Sequence, residues 1–502
     1  MIALSLADVA AATGAAPAGP VDPSALITAV TADSRQVGPG SLFVALPGER
    51  VDGRDFVPAA VGAGALAALT AAAVDGAPCL VVADPLAAFG AIARRVVEGG
   101  VAGGLQVVGV TGSQGKTSTK DLLAAILESA GPTVAPVGNL NNELGLPLTV
   151  ARVEPDTRFL VAEMGARGIG HIAYLCDICP PVVGVELNVG HAHVGEFGGQ
   201  AQIARAKSEL VAALPAAGTA VLNYDDPYVW GMRAVTSARV LAFSAAGPPT
   251  HEDAVWATDV SLDDLGRPRF TLHARFAGAA ENTAEVGLRL VGRHHIANAT
   301  AAAGAALALG LGLDQVADAL SGATARSRWR MELTERADGL VVLNDSYNAN
   351  PESMAAALDA LAELGRRRPG ATTWALLGDM LELGDEAAAG HDALGRRVAE
   401  AGIDRLIAVG AFAETVVGGA RASGLDADRA YAAADKAAML ARVLADAQPG
   451  DIVLVKASRG LALDTVAADL LTADPRREPT GEGRRASDSQ GPSGRESTGD
   501  TA

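Results

Sequence analysis

Over the first hundred residues, short apolar runs (Ile27 to Thr31, Leu42 to Leu46, Ala67 to Thr70, Leu80 to Val82) alternate with longer Ala-rich stretches. Brief β-prone runs bounded by Gly, Pro and Asp predict strands, and their alternation with helical stretches predicts a small α/β unit over residues 1–104. Gly99, Gly100, Gly103 and Gly104 predict a flexible break at its end. The pattern resumes with an apolar strand, Leu105 to Val110, and runs on to residue 325, predicting a central unit with a mostly parallel sheet. After the Arg-rich stretch around Arg326 to Arg330 it restarts. Strand candidates at Leu340 to Leu343, Trp374 to Leu377, Leu406 to Val409 and Ile452 to Val455, separated by helical stretches, predict a third α/β unit over residues 326–473. Residues 474–502 contain no Leu, Ile, Val, Met or aromatic side chain, so a disordered tail is expected there.

Composition changes this picture in three ways. No stretch of 18 apolar residues runs without Gly, Pro or charge, so the chain is not expected to be membrane-embedded. Its apolar start carries Asp8 and no positive charge. A short helix opened by a Ser5/Asp8 capping box and closed by Gly14 explains that start better than a secretion signal, and cytoplasmic residence is expected. Three cysteines make no disulfide framework, and Cys176 and Cys179, followed by Pro180 and Pro181, read as buried thiols rather than a zinc or redox pair. A net charge of −18 argues against a nucleic-acid partner, since a phosphate backbone needs a basic face. Only five lysines (116, 120, 207, 436 and 456) stand among 40 basic residues. Where Lys survives in a chain that prefers Arg, a point contact with phosphate or chemistry on the amine is the expected reason.

The strongest chemical signal is VVGVTGSQGKTSTKDLLAAIL, residues 107–127. An apolar strand enters the loop Thr111, Gly112, Ser113, Gln114, Gly115, and a helix follows from Lys116, Thr117 and Ser118. Glycines let successive N–H groups close around phosphate, the helix N-terminus adds positive potential, Lys116 reaches the outer phosphates and Thr117 offers a hydroxyl to Mg²⁺. A plain Gly-rich turn would leave the Lys-Thr pair unexplained. Val110 stands where the commoner, longer phosphate loop has Gly.

This shorter TGSxGKT loop resembles the ATP loop of the Mur ligase family, and the resemblance extends over almost the whole ordered chain. It implies three α/β domains: a small UDP-binding domain, a central P-loop ATPase domain and a Rossmann-like third domain. In the central part the Gly138–Thr149 segment, with Asn139, Asn141 and Asn142, is similar to the family's stretch after the P-loop helix. Glu163 matches its magnesium-binding glutamate, His193 its metal-associated histidine, and Ala206-Lys207-Ser208-Glu209-Leu210 the segment of its carbamylated lysine. Each alone reads as an ordinary strand-end or helix residue. All three at the carboxyl ends of strands, or just beyond, in the sheet of a phosphate loop is where ligands bind in open α/β folds. Gly292 to Asn298 resembles the family's GxHNxxN segment near the nucleotide base, with His295 in place of the first Asn and Asn298 retained. Arg328 lies where the family has an arginine leading into its third domain, with Arg326 and Arg330 two residues to either side.

The outer parts resemble the branch that adds D-alanyl-D-alanine. The carriers are Asp345 to Pro351, including Tyr347, Asn348 and Asn350, and Leu377 to Gly384. Near the N-terminus, Ser34, Arg35, Gly48 and Asp52 lie in segments similar to the UDP-binding end. The resemblance implies ATP and Mg²⁺ as cofactors, a CO₂-derived carbamate on Lys207, and Lys116, Glu163, His193, Lys207, Asp345 and Lys456 as catalytic residues. Thr117, Glu163, His193 and Lys207 would face the metals. UDP-N-acetylmuramoyl-tripeptide and D-alanyl-D-alanine are the implied substrates, and a monomer is expected. A sibling ligase adding another amino acid stays open. So does a P-loop switch protein, although the NKxD of guanine-specific switches is absent.

Overall fold

The computed structural model describes residues 1–48, 51–190, 199–381 and 383–473; the expectations for His193 and for the tail from residue 474 lie outside the described residues. Ser5 and Asp8 form the capping box that opens the helix Leu6–Thr13, and Gly14, at φ 67°, ends it. Five strands then make a sheet in the order Ala16–Ala18, Cys79–Val81, Ala65–Thr70, Ser41–Val44, Ala29–Thr31, parallel except for the first pair.

The expected glycine break is different. Gly99 and Gly100 are helical, inside Pro85–Ala102, whose N-terminus is capped by the Asp84 side chain. A Cβ at position 100 would stand 2.7 Å from the Leu105 side chain, so Gly100 is there for close packing and only Gly103 and Gly104 turn the chain. The helix buries Phe89, Ile92, Val96 and Val97 in one cluster with Leu42 and Leu69 of the first sheet and Val107 and Leu160 of the second. Each large side chain so buried stabilises by about 1.5–3 kcal/mol. The helix is thus shared core, not linker.

The second sheet has nine strands. Gln106–Thr111 lies between Phe159–Glu163 and Val183–Glu186, both parallel to it. Outward from the latter come Thr219–Asn223, Arg239–Ser244 and Ala254–Leu262, then Pro268–Arg275 and Asn282–Gly287 as antiparallel hairpin strands. Helices Lys116–Glu128 and His295–Ala308 pack together on one face, through Leu123, Ile126, Ala299 and Ala303. Helix Gln200–Ala212 covers the other face, where Gly109 and Gly184 admit Leu210.

The third sheet runs Glu332–Glu335, Val341–Asn344, Ile452–Lys456, Thr373–Gly378, Arg405–Val409, Ala430–Ala433, parallel except for its first pair. Pro351–Arg367 is opened by an Asn350/Ser353 capping box and buries Met354, Leu358 and Leu361 against this sheet. Among the described residues no helix is long and apolar enough to cross a membrane.

Candidate active site

The central strand Gln106–Thr111 ends in the phosphate loop, and the loop is braced from the next strand. Asn188 Oδ1 accepts from Gln114 N–H at 2.9 Å, Asn188 Nδ2 donates to Gln114 O, and Gly190 N–H donates to Ser113 Oγ at 2.9 Å. Gly112 and Gly115 have φ 152° and 79°, and a Cβ at 115 would meet Asn298 Oδ1 at 2.5 Å, so glycine is required by space as well as by φ. Burial lowers the Lys116 pKa, and its ammonium donates to the loop's own carbonyls, Gly112 O at 2.7 Å and Ser113 O at 3.3 Å.

The loop forms the floor of a cleft of about 480 Å³ between the second and third sheets. Residues 112–118 line it, with Asn139, Asn141, Asn142, Glu163, Lys207 and Asn298 from the central part. Asp345, Tyr347, Asn348, Asn350 and Lys456 line it from the third. Thr111 is fully buried beneath, its hydroxyl without a partner, and does not reach the cleft. Asn141 Nδ2 donates to Glu163 Oε1 at 2.8 Å, whereas Glu163 Oε2 is buried with no partner among the described residues. Facing it across the domains, the buried Lys456 ammonium donates to Asp345 Oδ2 at 2.6 Å and to Asn348 O at 2.9 Å. Asn142 and Asn350 spend their side-chain oxygens on backbone N–H groups of Gly145 and Ser353.

Arg328 does not join this group: it is exposed and lies off the cleft, while Arg330 lines it. The reason is backbone. Trp329 and Met331 are left-handed, at φ 61° and 51°, and turn Arg330 inward over the Tyr347 ring, 4.1 Å from its centroid. Such residues cost on the order of 1 kcal/mol each. Here Tyr347 N–H donating to Trp329 O and Met331 N–H donating to Asp345 Oδ1, both at 3.1 Å, hold them. Arg326 pairs with Glu128 instead. Sequence reasoning also passed over His171, whose Nε2 lies 3.0 Å from Glu143 Oε2 at the cleft wall, and Glu186.

Glu186 reads as a strand residue, yet it is wholly buried and neither carboxylate oxygen has a partner among the described residues. It lies two residues beyond Gly184, which underlies Leu210, and Lys207 is one turn ahead of Leu210, so the two face each other across the sheet–helix layer. Burial pushes Glu186 up to about 8, against the pull of Lys207, and pushes Lys207 down to about 7. A carboxyl whose folded pKa lies above its ordinary value contributes stability that is intact below that ordinary value and is lost as pH rises through about 8. Glu186→Gln should therefore melt with the parent near pH 5 and several degrees above it beyond pH 8, in metal-free, CO₂-depleted buffer. Equal melting temperatures at both pH values would refute the assignment.

A second cleft, beside the first sheet, is lined by Ser34, Arg35, Phe43, Phe56, Leu144 and Leu148. Arg35 is tied to Asp33 and Asp52 to Arg54, at 2.8 and 2.6 Å, while Gly48 lies off this cleft and closes a turn by donating to Val51 O. Cys176 and Cys179 are free buried thiols, Cys176 pushed up to about 12 by burial.

The chain is similar to known proteins over most of its length. Residues 26–93 match the Mur ligase family catalytic domain, 110–306 the Mur ligase middle domain, and 329–459 the Mur ligase glutamate ligase domain. The UDP-N-acetylmuramoyl-tripeptide–D-alanyl-D-alanine ligase of Mycobacterium tuberculosis is 46% identical over 94% of this chain and 98% of its own. That of Escherichia coli is 37% identical over 88% and 93%. A crystal structure of MurF from Acinetobacter baumannii superposes with a TM-score of 0.83 at 32% identity, covering 94% of this chain and 99% of that one. MurF from Thermotoga maritima, solved in complex with ADP, gives 0.74 at 28% identity over 88% and 96%. With a phosphate loop, a buried strand-end glutamate and a lysine-bearing third sheet closing one cleft, and with relatives matching end to end, the chain belongs to the Mur ligase family.

Proposed function

We infer that this chain is an ATP-dependent ligase that joins D-alanyl-D-alanine to the terminal carboxylate of UDP-N-acetylmuramoyl-tripeptide, a step of peptidoglycan precursor synthesis. The observation that carries the reading is near-full-length similarity to ligases of that name, on a chain whose phosphate loop and third-sheet Asp345–Lys456 pair face one cleft. Its working units are residues 1–104, 105–325 and 326–473, and it acts in the cytoplasm as a monomer. The nucleotide substrate's UDP end belongs in the cleft lined by Ser34 and Arg35, with Gly48 and Asp52 in the neighbouring turn off the cleft, and its peptide end in the ATP cleft.

A carboxylate is a poor electrophile until an oxygen is made a leaving group. Transfer of the ATP γ-phosphoryl group to the tripeptide carboxylate gives an acyl phosphate. Attack of the dipeptide amine on the acyl carbon then expels phosphate and forms the amide. The protein's part is positioning and charge neutralisation. Loop N–H groups and Lys116 take the phosphates, and Arg330, rather than Arg328, adds a second cation on that side. Asp345 fixes Lys456 and, with Tyr347, Asn348 and Asn350, forms the acceptor wall. Residues Asn139, Asn141 and Asn142 hold the opposite wall, Asn141 directly orienting Glu163.

The donor set fits Mg²⁺: Glu163 keeps a buried oxygen without a partner among the described residues, and Thr117 lies in the first turn of the loop helix. Glu163, Thr117 and a carbamylated Lys207 would hold the ions, and when bound they offset charge on the phosphoryl oxygens; His193 keeps only the role the family resemblance implies. Lys207 suits carbamylation because burial lowers its pKa to about 7, leaving at neutral pH an appreciable fraction of the unprotonated amine that reacts with CO₂.

Phosphate release from ATP should require UDP-muramoyl-tripeptide and a D,D-dipeptide together. Faster turnover with diaminopimelate, L-lysine or D-glutamate as acceptor would make the chain a sibling ligase.

A further inference from the structure

The loop of residues 165–170 follows the strand-end Glu163 and is pinned along its length. Gly165 N–H donates to Asn141 O at 2.8 Å, and Gly170 N–H donates to Glu209 Oε1 at 2.6 Å. Between them, Arg167 N–H donates to His171 Nδ1 at 3.2 Å. A backbone N–H can only donate, so Nδ1 is the acceptor, the ring proton sits on Nε2, and it is given to Glu143 Oε2 at 3.0 Å. Both nitrogens of His171 are thus spent on fixing the backbone of Arg167. Arg167 itself is exposed and lines the cleft, and its guanidinium makes no hydrogen bond or ion pair among the described residues.

The other lysines and arginines lining the cleft are engaged. Lys116 donates to the phosphate loop, Arg330 lies over Tyr347, Lys456 is bound to Asp345, and Lys207 faces Glu186. Arg167 also stands in a different place. Asn142 lines the ATP cleft and Leu144 the cleft beside the first sheet, so the two clefts approach each other at residue 143, where Glu143 meets His171. Ala166 and the helix His171–Ile178 pack into the same core cluster as Leu144 and Leu148. A substrate with its UDP end in one cleft and its reacting carboxylate in the other passes this point with the inner part of its peptide. An inner acidic residue such as a glutamyl keeps one carboxylate free, whichever of its two forms the amide. We propose that Arg167 binds that non-reacting carboxylate, so that the passage between the clefts selects acidic peptides. A guanidinium can meet a carboxylate with two parallel hydrogen bonds, and the pinned backbone limits where this one can point. The inference rests on a UDP-linked peptide as the substrate.

Calorimetric titration of the full chain, with magnesium and a non-hydrolysable ATP analogue present, tests it with two nucleotides. One is UDP-muramoyl-tripeptide with an inner glutamyl residue; the other is the same molecule with the free glutamyl carboxylate converted to a carboxamide. The carboxamide should bind about tenfold to a hundredfold more weakly, the range for hydrogen bonding to a charged group. Arg167→Gln should bind the carboxylate form as weakly as the parent binds the carboxamide, should no longer tell the two apart, and should hold the ATP analogue as the parent does. The comparison of the two nucleotides on the unaltered protein stands even if the variant misfolds. Equal binding of the two by the parent, a folded Arg167→Gln that still discriminates between them, or a variant weakened toward the ATP analogue instead would overturn the proposal. Failure to bind either nucleotide would remove the proposed reaction as well, whereas tight binding of both with equal affinity would remove this inference alone.

Discussion

Lys207→Arg is expected to lose at least about three orders of magnitude in turnover if Lys207 works as the proposed carbamate, because that anion would become a fixed cation. The side chain emerges from Gln200–Ala212 into the cleft and is buried, so an uncompensated ammonium or guanidinium there would repel both Mg²⁺ and Lys116. A carbamate reverses the sign and supplies two oxygens suited to a hard cation. Arginine keeps length and charge but does not form it. Lys207→Ala should regain part of its activity with millimolar acetate, which fits the vacated space, whereas Lys207→Arg should resist rescue because its side chain fills it. Full activity in Lys207→Arg, or a crystal structure of an active magnesium complex with an unmodified amine, would sink the idea.

Glu163→Gln should cut turnover by about a thousandfold while leaving the melting temperature within a few degrees. The amide keeps the shape and can still accept from Asn141 through its oxygen, but the second, buried oxygen is lost together with the charge. Since that oxygen makes no hydrogen bond among the described residues, its loss should take little from the fold and, on the proposed role of Glu163, much from the metal. Near-normal rates at saturating magnesium would remove Glu163 from the site.

Much of this was visible in the chain itself. The phosphate loop was legible because its function resides in consecutive backbone N–H groups, and a local run of Gly, Lys and Thr between a strand and a helix is enough to build it. The Ser5/Asp8 capping box, several strands of the first and third sheets and the central strand Leu105 to Val110 of the second were legible for the same reason: each depends on neighbours within a few residues. The central sheet's antiparallel edge, Pro268–Arg275 and Asn282–Gly287, was not foreseen, because strand direction is set by pairing partners and leaves no mark on a single run.

Three features of the site belong to the tertiary structure alone. Which arginine of Arg326, Arg328 and Arg330 enters the cleft depends on two left-handed residues held by bonds involving Tyr347 and Asp345. Lys456 reaches Asp345 across 111 residues because their strands are parallel neighbours in the third sheet. Glu186 looks like an ordinary strand residue until burial removes its water and leaves its carboxylate facing Lys207. The sequence by itself determined where many of the elements form and which residue types can do phosphate and metal chemistry, since propensity, capping and loop geometry are short-range. Burial, pKa and the meeting of distant side chains were decided only on folding, because they depend on what the rest of the chain brings alongside.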